Sequence, residues 1–242
     1  MRLRAGTKIG SAIFYKKALD LYQTVNYRFG IMGRTSDANE RLMDAALDLM
    51  WEESYGAVTI DDICRRADVK KGSFYYFFES KAHLAVAALE RMWSRDWKPK
   101  LDATFSPSVD PATRMAQYLK GIYESQCEVK AKHGKILGCP VCSVGSEVST
   151  QEVDVSAKVR EILARKRRYY ESTIRDAISE GVIEPCDPSQ RAMALMGLIE
   201  GMVAQSRIMN DPELLKNLPT MGLEILHFKT AAAAAPTVAV GK

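Results

Sequence analysis

The segment from Thr59 to Lys81 constrains the fold of this chain more than any other part of the sequence. Thr59 followed three residues later by Asp62 is the pattern of a capping box, which begins a helix. The apolar residues of that helix share one face and are predicted to pack inward: Ile60, Ile63, Cys64 and Ala67. After a short turn comes a second helix with lysines, a hydroxyl group and aromatic rings. This layout, over residues 59–78, is typical of a helix-turn-helix whose second helix enters the major groove of DNA.

The second helix carries most of the side chains predicted to contact DNA. Lys71 and Ser73 project from its start, where lysine can donate to guanine acceptors and a hydroxyl group can bond to a base edge. Tyr76 is predicted to touch a thymine methyl group. The residues predicted to contact phosphate groups, which position a protein without reading sequence, are Thr59, Lys70, Tyr75 and Lys81. Gly72 costs the helix ~1 kcal/mol relative to alanine, and we interpret it as room for the backbone to approach a phosphate group.

This segment resembles the DNA-binding domain of the tetracycline-repressor (TetR/AcrR) family of transcriptional regulators. The residues that match the family pattern are Ala67, Val69, Gly72, Ser73, Phe74, Tyr75, Phe77, Phe78, Ser80, Lys81 and Leu84. The departures are Asp68 in place of the turn glycine, Lys70 in place of a capping serine and Ala82 in place of an acid. The resemblance covers about residues 34 to 95. It implies that Tyr75 and Lys81 contact the DNA backbone.

The rest of the chain also has helical periodicity and no strand-like alternation, so the sequence predicts an all-α fold. A three-helix DNA-binding domain at 34–97 is expected to be followed by an α-helical ligand-binding and dimerisation domain at 111–229. The breaker cluster at 106–111 separates them. Residues 1–33 are a genuine extra helix, a positively charged arm that reaches into an adjacent minor groove or, the interpretation favoured here, an extension from an upstream start codon. Residues 230–242 are of low complexity and predicted to be a disordered tail.

The helices of the second domain are predicted from apolar periodicity and from the positions of proline and glycine. The first four are expected at about 111–133, 141–149, 153–180 and 188–209, and a final helix at about 212–229. The first domain is expected to end with a helix that runs to about Trp97, with Pro99 beyond its end.

Composition narrows the cellular setting and the partners. The net charge of +4 is too mild to indicate nucleic acid by itself, but residues 65–81 carry five basic against two acidic side chains. No apolar run reaches the ~18 residues that a membrane span requires. Five cysteines without a regular framework suit a reducing cytoplasm, so we expect a cytoplasmic protein that binds double-stranded DNA and no membrane.

A Cys-x-x-Cys pair, Cys139 and Cys142, is the second feature with chemical potential. A zinc site would need a second cysteine pair, and His133 alone leaves one ligand missing. A redox dithiol of the thioredoxin kind would need a βαβ unit, and the sequence pattern shows none. Neither a metal nor a cofactor is therefore predicted. What remains is a thiol at a helix N-terminus, where the helix dipole favours thiolate, or two small residues that pack a loop. The surrounding pattern resembles the effector domain of repressors that sense quinones and unsaturated aldehydes, which implies a sensor role.

Apolar stripes in the last helices can be buried within a helical monomer or between two chains. The dimer-interface residues predicted from them are Leu195, Ile199, Val203 and Leu218. The resemblance implies pairing through the last two long helices, and a dimer supplies the two-fold symmetry of a palindromic operator. The sequence thus predicts a homodimeric repressor, not an enzyme, which a small-molecule or electrophilic inducer releases from DNA. A thiol oxidoreductase using Cys139 and Cys142, and an activator of the same fold, remain as alternatives.

Overall fold

The computed structural model describes residues 35–148 and 151–228 of the chain, and these residues form helices and turns without a strand. The all-α prediction is therefore confirmed for the described part. The predicted N-terminal extension at 1–33 and the predicted tail at 230–242 lie outside the described residues.

Four helices form the segment that contains the predicted helix-turn-helix. They are α1 (Thr35–Glu52), α2 (Ile60–Ala67), α3 (Lys71–Phe77) and α4 (Lys81–Met92). The core between them consists of fully buried apolar side chains that the periodicity predicts: Leu42, Ala46, Ile63, Phe74 and Leu84. Helix α2 ends at Asp68, which adopts the left-handed conformation with φ 52°. The TetR pattern has glycine at this position because glycine takes that conformation at no steric cost, and aspartate is among the few other residues that tolerate it.

The chain remains helical after α4, beyond the predicted end at about Trp97. A single π-helical turn at Trp93–Trp97 leads directly into α5 (Lys98–Thr104). The prediction that Pro99 lies beyond the end of the helix is wrong, because Pro99 stands in the first turn of α5. A missing backbone N–H has no consequence there. Residues 106–110 then form the loop that the breaker cluster predicts.

The next four helices agree with the predicted boundaries to within one or two residues. They are α6 (Pro111–His133), α7 (Pro140–Val148), α8 (Val153–Ser179) and α9 (Pro188–Met209). Side chains cap two of them: the carboxylate of Asp110 accepts from the Thr113 N–H at 2.9 Å, and that of Asp187 accepts from the Ser189 N–H at 2.8 Å.

The last segment differs from the single helix expected at 212–229. A 3₁₀ turn at Pro212–Leu215 is followed by the short helix α10 (Leu218–Ile225). Pro219 explains the interruption, because a proline inside a helix lacks the N–H donor and its ring clashes with the carbonyl four residues earlier, here that of Leu215.

The four residues predicted to form a dimer interface have a different place in the structure. Leu195 and Leu218 are fully buried, and Ile199 and Val203 are 2% and 5% exposed, all within the core of the chain itself. The physical reason is that α9 packs on α8 and α10 packs on α6 of the same chain. These side chains are therefore not available to a partner, and their assignment to the interface is corrected. An apolar stripe shows that a helix face is buried, but not by which chain.

Candidate DNA-binding surface and effector cavity

The start of α2 fixes the orientation of the helix-turn-helix. The Thr59 hydroxyl accepts from the Asp62 N–H at 3.2 Å, and the Asp62 carboxylate accepts from the Thr59 N–H at 3.1 Å, which confirms the predicted capping box. The Thr59 hydroxyl also donates to the Asp62 carboxylate at 2.5 Å, and this hydrogen bond, with that from the Thr59 N–H, lowers the pKa of Asp62 below its ordinary value. At the other end of α2, Arg41 donates to the carbonyl of Ala67 at 2.8 Å. This contact could not be predicted from residue spacing, because Arg41 lies on a different helix.

One face of α3 is exposed and polar. Lys70, Lys71 and Tyr75 lie on the surface, Ser73 is half-buried and Tyr76 is 76% exposed. Tyr75 is 54% exposed, so two adjacent aromatic rings face the solvent beside these polar groups. The opposite face holds Phe74 and Phe78 in the core.

Gly72 and Lys71 lie at the start of this exposed face. A methyl group placed on Gly72 would meet no protein atom within 4 Å, so packing inside the protein does not explain this glycine. The Lys71 ammonium forms an ion pair with Asp61 at 2.8 Å, and this hydrogen bond raises the pKa of Lys71. Because both side chains are exposed, the pair is weak and Lys71 is free to exchange Asp61 for another acceptor.

Lys81 has a structural role that the sequence did not reveal. Its ammonium donates to the carbonyls of Tyr55 at 2.8 Å and Val58 at 3.0 Å, and it lies 4.3 Å from the centre of the Tyr55 ring. All three contacts belong to the loop between α1 and α2. Lys81 therefore anchors that loop to α4, and its charge is already used inside the protein.

A cavity of about 860 Å³ lies between α1 of the DNA-binding segment and the helices that follow this segment. Its wall includes Trp51 from α1, Trp97 from the π-helical turn, and Tyr118 and Gln126 from α6. The volume falls in the range of sites for small organic ligands. Besides these rings, the lining contains many charged side chains, among them Asp44, Arg95, Lys100 and Glu128.

A buried polar cluster stands at the inner end of the cavity. The Lys166 ammonium, only 6% exposed, donates to the Glu200 carboxylate at 3.0 Å and faces the Trp97 ring at 5.6 Å. Burial disfavours the ammonium form, but Tyr118, Tyr170 and Glu200 around it raise the pKa of Lys166 well above its ordinary value. Neither Lys166 nor Glu200 was singled out in the sequence.

Cys139 and Cys142 meet at the edge of the same cavity. Cys139 immediately precedes α7 and lines the cavity, and Cys142 lies in the first turn of α7. A hydrogen bond from Cys142 lowers the pKa of the Cys139 thiol, and the same hydrogen bond raises that of Cys142. The structure thus brings together the two predicted sensor thiols and leaves one of them facing the space where a ligand would lie.

Helix α7 connects this cavity to the DNA-binding segment. At its N-terminal end, the indole N–H of Trp51 donates to the Gly138 carbonyl at 3.1 Å. Near its C-terminal end, the Glu147 carboxylate accepts from the backbone N–H groups of Tyr55 at 2.8 Å and Gly56 at 2.6 Å. Tyr55 and Gly56 belong to the loop that Lys81 anchors. A displacement of α7 would therefore move the backbone just before the helix-turn-helix.

Sequence comparisons identify both parts of the chain. Residues 42–88 match the profile of bacterial regulatory proteins of the tetR family, and residues 111–220 match that of the tetracyclin repressor-like C-terminal domain. The transcriptional regulator AcuR of Cereibacter sphaeroides is 28% identical over 180 residues, which cover 74% of this chain and 80% of that protein. The HTH-type transcriptional repressor NemR of Escherichia coli K12 is 26% identical over 186 residues, with coverage of 75% and 89%.

Solved structures agree with these comparisons. A regulatory protein TetR from Rhodobacter sphaeroides superimposes with a TM-score of 0.70 at 28% identity, covering 80% of this chain and all of that one. The reduced form of Escherichia coli NemR has a TM-score of 0.68 at 21% identity, with coverage of 81% and 99%, which supports the fold alone. No helix in the described part of the chain is long and apolar enough to cross a membrane. The two matched segments make up more than half of the sequence, and the chain belongs to the TetR family of DNA-binding transcriptional regulators.

Proposed function

We propose that this regulator is a homodimeric repressor that binds a palindromic operator and is released from it by a small electrophilic inducer. The observation that carries the proposal is helix α7, which has a cavity-facing thiol at one end and holds the loop before the helix-turn-helix at the other. One related protein, NemR, is named a transcriptional repressor, which favours repression over activation here. The thiol oxidoreductase alternative is not supported, because the relatives are regulators.

The proposed DNA contacts follow from the exposed face of α3. Lys71 and Ser73 read base edges, and Tyr76 packs on a thymine methyl group. Lys70 and Tyr75 bind phosphate groups, and the open space at Gly72 lets the backbone come close to the strand. Thr59 and Lys81 were also predicted to bind phosphate. Their polar groups already have partners within the protein, so we propose that both residues position the helix-turn-helix and do not contact DNA themselves.

The proposed dimer interface is the exposed face of α9. Met193, Gly197, Gly201, Ala204 and Ile208 follow one another at spacings of three or four residues and share a face opposite the buried stripe. Met193 is 57% and Ile208 is 79% exposed, an unfavourable arrangement for an isolated chain in water. Added Cβ atoms at both glycines would meet no atom of the chain, which leaves room for a second helix to approach closely.

Two substitutions on α9 test this interface. Ile208→Glu should give a folded monomer in sedimentation with strongly reduced operator affinity, because the two-fold arrangement of recognition helices is lost. Ile199→Glu, on the buried face, should instead lower the thermal stability of the chain, since it places a charge in the core. A dimer that survives Ile208→Glu would move the interface elsewhere.

The proposed induction step is addition of the Cys139 thiolate to an unsaturated aldehyde or a quinone. The sulfur forms a bond to the β-carbon, the double bond shifts to an enolate, and solvent protonates the enolate, so no oxidant is needed. The adduct occupies part of the cavity and displaces α7, and Glu147 transmits that movement to the loop at Tyr55. The recognition helices of the dimer then lose the spacing of one DNA turn, ~34 Å, that tight binding requires.

Selection of DNA from a random pool with the purified protein tests the central part of the proposal. We expect the selected DNA to be palindromic and to be bound by two chains. Transcription from a promoter that contains this sequence should be reduced. A selected sequence without two-fold symmetry, or increased transcription, would contradict the dimeric repressor.

A further inference from the structure

Three potential metal ligands converge where α7 meets α9. The sulfur atoms of Cys139 and Cys142 and a carboxylate oxygen of Glu200 all lie within 4.8 Å of one another, and all three side chains are half-buried. Among the described residues this is the one group of three or more such side chains that meets a metal-binding spacing. The sequence alone predicts no zinc site, because it contains no second cysteine pair and His133 alone leaves a ligand missing. The missing ligand is a glutamate from a helix far along the chain.

The distances suit a tetrahedral centre. Zinc binds thiolate sulfur at ~2.3 Å and carboxylate oxygen at ~2.0–2.2 Å, which places the ligand atoms roughly 3.5–3.8 Å from one another. The three ligand atoms lie within 4.8 Å of one another, so side-chain movements of about 1 Å bring them to that spacing. The cavity beside Cys139 leaves room for such movements. The cavity side is also where a water molecule or another small ligand would supply the fourth position.

The charges of the cluster also suit a divalent cation. When the two thiols bind a metal as thiolates they release two protons, so the net charge of this half-buried region does not change. The Lys166 ammonium occupies Oε1 of Glu200 at 3.0 Å, which leaves Oε2 for the metal. Two thiolates and one carboxylate carry three negative charges, of which a divalent ion neutralises two. The Lys166 ammonium neutralises the third. The cluster therefore has ligands, geometry and charge balance for one ion.

We propose that Cys139, Cys142 and Glu200 form a binding site for one thiophilic metal ion of the zinc type, with an open fourth position toward the cavity. Thiolate ligands select zinc and its heavier relatives over magnesium or calcium. The bound ion joins α7 to α9 and protects both thiols from alkylation. Metal binding does not depend on the proposed repressor function. Only its competition with an inducer rests on the proposed electrophile response.

Titration of the reduced, metal-free full chain with cadmium tests the site. The ultraviolet sulfur-to-cadmium absorption band should saturate at one ion per chain, and zinc should displace cadmium from it. Cys142→Ser should lose most of the band, and Glu200→Gln should lower the affinity at least tenfold, as loss of even an outer-sphere partner of a metal site does. Cys186→Ser, a half-buried cysteine outside the cluster, should behave as wild type.

A second measurement keeps the proposal testable if a variant does not fold. Stoichiometric zinc should slow alkylation of Cys139 and Cys142 in the wild-type chain but not that of Cys186. Absence of a saturable cadmium band in the wild-type chain, or an unchanged band in Cys142→Ser, would overturn the metal site. If an enal still releases DNA in that case, the electrophile response stands without the metal. If cadmium binds and no enal acts, the metal site stands alone.

Discussion

Removing the Glu147 carboxylate should weaken the connection between the effector cavity and the DNA-binding helices. This side chain accepts two backbone hydrogen bonds, from Tyr55 at 2.8 Å and from Gly56 at 2.6 Å. Hydrogen bonds to a charged group contribute about 1.5–3 kcal/mol each when buried. Glu147 and Gly56 are exposed, so water replaces much of the loss, and we expect Glu147→Ala to lower the free energy of unfolding by about 1–2 kcal/mol in total.

The functional effect of Glu147→Ala should exceed its effect on stability. Allosteric couplings are typically worth about 1–3 kcal/mol, or a factor of roughly 5–150 in affinity. The variant should still bind the operator, but the ratio of affinities without and with inducer should fall severalfold. Fluorescence anisotropy of labelled operator measures this ratio, and urea unfolding measures stability.

Ser146→Ala is the matched control, because it changes the exposed neighbour of Glu147 on the same helix. It should leave both the stability and the affinity ratio unchanged. If Glu147→Ala unfolds at the same urea concentration as wild type and responds fully to the inducer, α7 does not transmit the signal through this contact.

Three further predictions concern the DNA-binding segment. When operator binding is measured at several salt concentrations, Lys70→Ala should lower the salt dependence of the affinity by about one phosphate contact for any DNA. Lys71→Ala should instead reduce the preference for the operator over other DNA by about 1–3 kcal/mol. Equal behaviour of the two variants would refute the assignment of Lys70 to phosphate and Lys71 to a base edge. Lys81→Met should lower the melting temperature by several degrees, because two carbonyls lose a charged donor, while a variant with wild-type stability and weaker DNA binding would restore its phosphate role. Hydrogen bonds from Thr59 lower the pKa of Asp62 in the folded chain, so their stabilisation is present above the unfolded value of ~3.9 and is lost as the pH falls through the lower folded value. Asp62→Asn should lack this part of the acid dependence in unfolding curves, and an unchanged curve would contradict it.

Local features of this fold could be predicted from the sequence, and long-range meetings could not. The capping box at Thr59 and the glycine at Gly72 depend on neighbours within one helical turn, so their patterns are visible in the sequence. The position of Cys139 before a helix is likewise local. That Glu200 faces this cysteine, or that Glu147 reaches Tyr55, depends on how distant helices pack, and no residue spacing encodes it.

The predicted dimer interface shows a second limit of what apolar periodicity can predict. The stripe through Leu195 and Ile199 is apolar at helical spacing, which correctly predicts a buried face. Whether the covering surface belongs to the same chain or to a partner is decided by α8 and α10, which pack on their own chain first. The face that contains Ile208 is mixed with glycine and alanine, so apolar periodicity alone does not single it out.

Release of a labelled operator by a small unsaturated aldehyde tests the account most directly. The wild-type chain should dissociate from the DNA at low aldehyde concentrations. Cys139→Ser should bind the operator with unchanged affinity and stay bound, while Cys186→Ser should respond as wild type. If Cys139→Ser is released as readily as the wild-type chain, the thiol at the cavity is not the sensor, and the proposed link from cavity chemistry through α7 to the DNA-binding helices is contradicted.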